Sequence, residues 1–139
     1  MHKGLPVFIA LLIVGLMGCD LGTDPEDANG ENGEVTFSED VEPMLANNCA
    51  FSGCHGTSNT QQDLVLAEGE AYNNLVDVPS REMPELDRVE PGEPDSSFLL
   101  LKLKPNPPAG GRMPQGGPYF SDEQIETVET WISEGAEDN

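Results

Sequence analysis

Two cysteines and a histidine offer the plainest chemistry in this sequence. Cys49-Ala50-Phe51-Ser52-Gly53-Cys54-His55 places four residues between the thiols and sets an imidazole directly after the second. In an exported protein this order suggests covalent haem attachment. The thiols add to the two vinyl groups as thioethers, and the adjacent imidazole reaches the iron from the proximal side. The usual spacing for such attachment is C-x-x-C-H, so Cys49 and Cys54 form a longer variant. A thioether as the second axial ligand raises the potential and closes the site. Met83 and Met113 are candidates, each followed by a proline that restricts the local backbone. Met113 has the better setting, a Gly/Pro-rich loop able to fold over a flat cofactor, and Met83 is the alternative. Met44 falls on an apolar helical face and reads as core.

Other chemistries use the same residues. In an oxidising compartment Cys49 and Cys54 could pair as a disulfide in a haemless envelope lipoprotein that serves as a binding or structural module. That pairing leaves His55 and the Arg112-Met113-Pro114 loop unexplained. A structural zinc site wants four ligands, and two cysteines with one histidine supply three. A catalytic haem with an open sixth position needs a distal acid–base pair, and the chain behind the signal has no second histidine. The chain therefore reads as an electron carrier rather than an enzyme.

Export is itself read from the sequence. His2 and Lys3 give a basic start, and Leu5 to Leu16 is apolar apart from Pro6 and Gly15. That run is short for a bilayer span and suits a signal h-region. Leu16-Met17-Gly18-Cys19 resembles a bacterial lipobox, which implies removal of residues 1–18 and lipidation of Cys19. The expected location is the cell envelope, on the periplasm-facing side of the inner or outer membrane. Asp20 after the lipidated cysteine resembles an inner-membrane retention signal. Removing the signal takes one of six basic residues and none of 26 acidic ones, which leaves 5 − 26 = −21. Such a field repels nucleic acid and anionic head groups and favours a redox partner with a basic docking face. Asp20 to Glu34 holds six acidic residues, three glycines and a proline, and reads as a flexible tether. The oligomeric state is not legible.

The elements that must position these residues lie in 35–139. Thr36 and Glu39 have capping-box spacing, with Ser38 as an alternative cap, ahead of Phe37, Val41, Met44 and Leu45 on one helical face. Pro43 is tolerable only near a first turn, which puts the expected start nearer Asp40. Gly53 and Gly56 bracket Cys54-His55, where backbone would approach a flat ligand. Glu68 to Val76 reads as a short helix. Asp95 or Ser96 can cap a helix through Phe98, Leu99, Leu100, Leu101 and Leu103. Pro105 to Tyr119 has five prolines and four glycines and reads as a long functional loop. The last helix is the clearest: a Ser121/Gln124 capping box, a Phe120/Ile125 staple, and an Ile125, Val128, Trp131, Ile132 stripe ended by Gly135.

This order of a helix ending in Cys…Cys-His, a middle region, Arg-Met-Pro in a Gly/Pro loop, and Ser-Asp-Glu-Gln opening a helix that ends Trp-Ile-…-Gly-Ala resembles small c-type cytochrome domains, especially those of bacterial lipoproteins. The resemblance covers Val35 to Ala136. It implies Cys49 and Cys54 as thioether sites, His55 as proximal ligand, Met113 as distal ligand, and Trp131 packing across the first helix near Phe37. The expected fold is mostly α, with three to five short helices around a covalently bound haem c and long Gly/Pro loops. The thin apolar content of such a domain agrees with a cofactor that supplies apolar mass.

Overall fold

A computed structural model describes residues 33–139; the signal, Cys19 and residues 20–32 of the tether lie outside them. Among the described residues the architecture is a small α domain with four α-helices and no strand. The helices are α1 (Glu42–Cys49), α2 (Ala71–Leu75), α3 (Phe98–Leu103) and α4 (Asp122–Ser133). A π-helical turn, Phe37–Val41, leads into α1, and isolated bridges pair Val76 with Val89 and Pro79 with Asp87. No helix among the described residues is long and apolar enough to cross a membrane.

The first helical segment starts at Phe37, earlier than its sequence implies. Thr36 caps it, its hydroxyl accepting from the Glu39 amide at 3.3 Å. The reciprocal acceptor is Asp40, whose carboxylate takes the Thr36 N–H at 2.8 Å, so Glu39 does not close the box. The amides of Val41 and Glu42 reach five residues back, to the carbonyls of Thr36 and Phe37. This wide register falls just ahead of Pro43, which has no N–H to continue the ladder and whose ring would crowd an α-helical carbonyl four residues back. The proline then sits in the first turn of α1, where its missing donor costs little.

Two further boundaries move inward. The α2 helix covers Ala71–Leu75 only, because Glu68 to Glu70 form a turn around Gly69 at φ +76°. The α3 helix is preceded by Ser97 rather than capped by Asp95 or Ser96. The Ser97 hydroxyl is used elsewhere, accepting from the Glu90 amide at 2.9 Å and donating to the Glu93 carbonyl at 3.0 Å. It pins the preceding loop instead of capping the helix.

The last helix follows its sequence closely. Ser121 Oγ accepts from the Gln124 amide at 3.2 Å, and Gln124 Oε1 accepts from the Ser121 amide at 3.0 Å. Phe120, Ile125, Val128, Trp131 and Ile132 are buried in one cluster with Phe37, Val41, Leu45, Leu75 and Leu100. Trp131 packs on Phe37 with ring centroids 5.1 Å apart, and Tyr72 meets Phe37 edge-on at 5.3 Å. Polar tips are satisfied by the chain beyond α4: Trp131 Nε1 donates to the Glu137 carbonyl at 2.9 Å, and the Tyr72 hydroxyl to the Ala136 carbonyl at 3.0 Å.

The two layers of this interaction predict different costs. Trp131→Ala empties a fully buried site and lowers unfolding free energy by about 3–5 kcal/mol in urea titrations. Ser121→Ala removes one cap bond and costs about 1 kcal/mol.

Candidate functional site

A cavity of about 480 Å³ opens between the Cys49–His55 turn, α3 and the loop that carries Met113. Its size falls within the range of about 300–1,000 Å³ common to cofactor and small-molecule sites. Cys49, His55 and Met113 all contribute to its wall, with apolar surface from Leu66, Leu75 and Leu99.

The Cys49–His55 turn folds the four-residue gap so that His55 lies close to Cys49. The Cys49 carbonyl at the end of α1 accepts from the amides of both Phe51, at 2.9 Å, and His55, at 3.1 Å. The Phe51 carbonyl likewise accepts from Cys54, at 3.0 Å, and Gly56, at 3.1 Å. Of the intervening residues Gly53 returns to the cavity wall, and His55 comes back beside Cys49. Cys49 is buried, whereas Cys54 is exposed and outside the cavity wall; both are free thiols. Gly56 is demanded by this turn rather than by approach to a flat ligand. A Cβ there would lie 2.9 Å from the Ala50 carbonyl oxygen and 3.0 Å from that of Phe51.

His55 is held in one tautomer. Its Nδ1 lies 3.2 Å from the Leu64 carbonyl oxygen, which can only accept, so Nδ1 carries the hydrogen and Nε2 keeps its lone pair. Burial lowers the His55 pKa, opposed by the Leu64 and Gln61 carbonyls, and the neutral ring is favoured. A fixed Nδ1–H donor and a free Nε2 are what a metal-ligating histidine needs. The Leu64 carbonyl follows two residues in the left-handed region, Gln62 at φ +55° and Asp63 at φ +47°. Arg88 braces that turn. Its guanidinium donates to the carbonyls of Gln62 at 2.9 Å, Asp63 at 3.2 Å and Asn74 at 2.7 Å.

Met113 is placed by the last turn of α3. Its amide donates to the Lys102 carbonyl at 2.8 Å, and Arg112 Nε donates to the Leu103 carbonyl at 2.7 Å. The Arg112 guanidinium lies 4.4 Å from the centroid of the Tyr119 ring, which closes the loop on itself. Lys102 Nζ reaches back to the Ala109 carbonyl at 3.1 Å and the Glu82 carboxylate at 2.9 Å. Met83 is half-buried and does not line the cavity, and Met44 packs against the core. Of the sequence candidates, the structure thus gathers Cys49, His55 and Met113 and leaves Cys54 and Met83 outside.

Arg81, Arg88 and Lys102 also line the cavity and were not singled out from sequence. The signal that could have found them is scarcity, since only six basic residues stand against 26 acidic ones.

In comparisons with protein families, characterised proteins and solved structures, no match to this chain is found.

The donor set fits a haem better than a bare ion. Among the described residues no group of three or more His, Cys, Asp or Glu side chains could share a metal ion. One imidazole and one thioether suffice only where the ligand brings the remaining donors, as a tetrapyrrole does with four nitrogens. The leucines in the wall and the buried Cys49 thiol beside them suit the same group.

The thiols should differ in reactivity. Burial, with a smaller contribution from the neighbouring Cys54, pushes the Cys49 thiol up to about 11. In the unliganded domain at pH 8, a disulfide reagent should label Cys54 first and Cys49 at least about tenfold more slowly. Raising the pH toward 11 enlarges the Cys49 thiolate fraction and narrows the gap. Equal rates at pH 8 would contradict the buried placement.

Proposed function

We propose that this domain is a membrane-tethered monohaem c-type cytochrome that carries single electrons. The observation that supports it most is the convergence of His55, Met113 and Cys49, remote from one another in sequence except for the first and last, on one cavity. Bound there, a haem c would supply the iron that takes up and releases one electron. His55 would hold the iron through Nε2, its ring kept in register by the bond to the Leu64 carbonyl. Met113 would hold it through its thioether sulfur, its backbone fixed by the Lys102 carbonyl. Cys49, in the cavity wall, would form one thioether. Cys54, exposed and outside the wall, would form the second only if its side chain turned toward the cavity that the neighbouring Gly53 lines. The leucines of the wall exclude water, which favours the less charged state of the centre. The tether and the lipid on Cys19 would keep the domain at the membrane, and the acidic surface would steer a basic redox partner.

Expression behind an export signal with the haem-attachment machinery tests this. Colour should stay with the protein after acid–acetone extraction, and the reduced alkaline-pyridine spectrum should be c-type. Met113→Ala should then convert a low-spin spectrum to a high-spin one, while Met83→Ala leaves it unchanged. A colourless, folded protein with Cys49 and Cys54 paired would replace this reading with the disulfide-stapled module.

A further inference from the structure

The cavity wall inverts the charge of the chain. Beyond the signal, five basic residues remain (Arg81, Arg88, Lys102, Lys104 and Arg112), and three of them line this one cavity. A single acidic residue, Glu82, lines it with them. Elsewhere carboxylates are abundant, so a cation that lacks one is not short of candidates. Arg81 has Asp63 and Lys102 has Glu82. Arg88 is different. It is 93% buried (7% exposed), and among the described residues no carboxylate lies within ion-pairing distance of it. Its hydrogen bonds go to three backbone carbonyls, which satisfy donors without neutralising charge. Burial lowers its pKa as expected of a desolvated cation. Buried charges are normally paired, and a positive charge left uncompensated on a cavity wall marks where an anion belongs.

We infer that the cavity contains an anionic subsite, built on Arg88 and supported by Lys102, that receives a carboxylate of an otherwise apolar ligand. The inference rests on the reading of this cavity as a ligand site and deepens it. For a haem, the group concerned is a propionate. Arg88 contributes a charge already fixed by three carbonyls, so little side-chain freedom is lost on pairing. Lys102 can turn its ammonium from Glu82 to the incoming carboxylate, because the ion pair it leaves reaches partly exposed surface at Glu82.

The test compares acids with their esters on the unliganded mature chain. Its probes are zinc mesoporphyrin as the free diacid and as the dimethyl ester, followed by porphyrin fluorescence, and palmitate with its methyl ester. Neither porphyrin has vinyl groups, so no thioether forms. The diacid is expected to bind about tenfold or more tightly than the diester, the penalty of leaving a buried charge without its anion. Arg88→Gln should bring the diacid-to-diester affinity ratio close to one, and it is this ratio rather than either affinity that reads the subsite, because Arg88 also braces the turn behind His55. Lys102→Gln should reduce it. Equal affinity of diacid and diester overturns the subsite but leaves the haem reading standing. If neither porphyrin binds and palmitate binds more tightly than its ester, the subsite stands and the haem reading falls. If no probe binds, the subsite is overturned. The acid–ester ratio of the unaltered chain decides the matter even where an Arg88 variant does not fold.

Discussion

The contact between Phe37 and Trp131 holds the rest in place. It joins the first helical turn to the last helix, and Tyr72 from α2 completes the stack. Three separate stretches of chain are thereby fastened through aromatic rings, each offering a large buried area with few rotatable bonds. The connections between them are free to be irregular, and they are. Helix α4, which contributes Trp131, follows the loop that carries Met113, and the turn that carries His55 follows α1 directly.

Polar contacts do within the loops what apolar packing does in the core. Gly and Pro leave Pro105–Tyr119 with few side chains to bury, so its position is set by bonds to the last carbonyls of α3. Those carbonyls have no partners within their own helix, because a helix end leaves them free. The short length of α3, six residues, is thus useful: it presents open acceptors where the loop needs them. Arg88 plays the same part on the other wall, where two left-handed residues would otherwise strain the turn behind His55.

The legible parts were those with a period or a local signature. The α4 stripe and its capping box follow from spacing alone, and the Trp131–Phe37 contact implied by the resemblance is found at 5.1 Å. The π turn was not legible, since Pro43 excludes an ordinary helix without saying what replaces it. Motif spacing likewise could not reveal that Cys54 faces outward, because that depends on which carbonyl collects the loop amides. Arg88 escaped notice for a similar reason. Its partners are backbone carbonyls from residues distant in sequence, and no pattern of residue types encodes them.

The two walls differ in how they are attached, and that difference bears on lability. His55 is continuous with the core: its carbonyl accepts from the amide of Leu66, which is buried in the apolar cluster. Met113 lies outside that cluster and is tethered by a few hydrogen bonds and one stacked arginine. Segments held in this way open at lower free energy than the elements beneath them. Local opening on the Met113 side is therefore expected to cost less than opening any of the four helices, whereas displacing His55 would loosen the core. One face of the cavity is thus built into the core, and the other rests on its own hydrogen bonds.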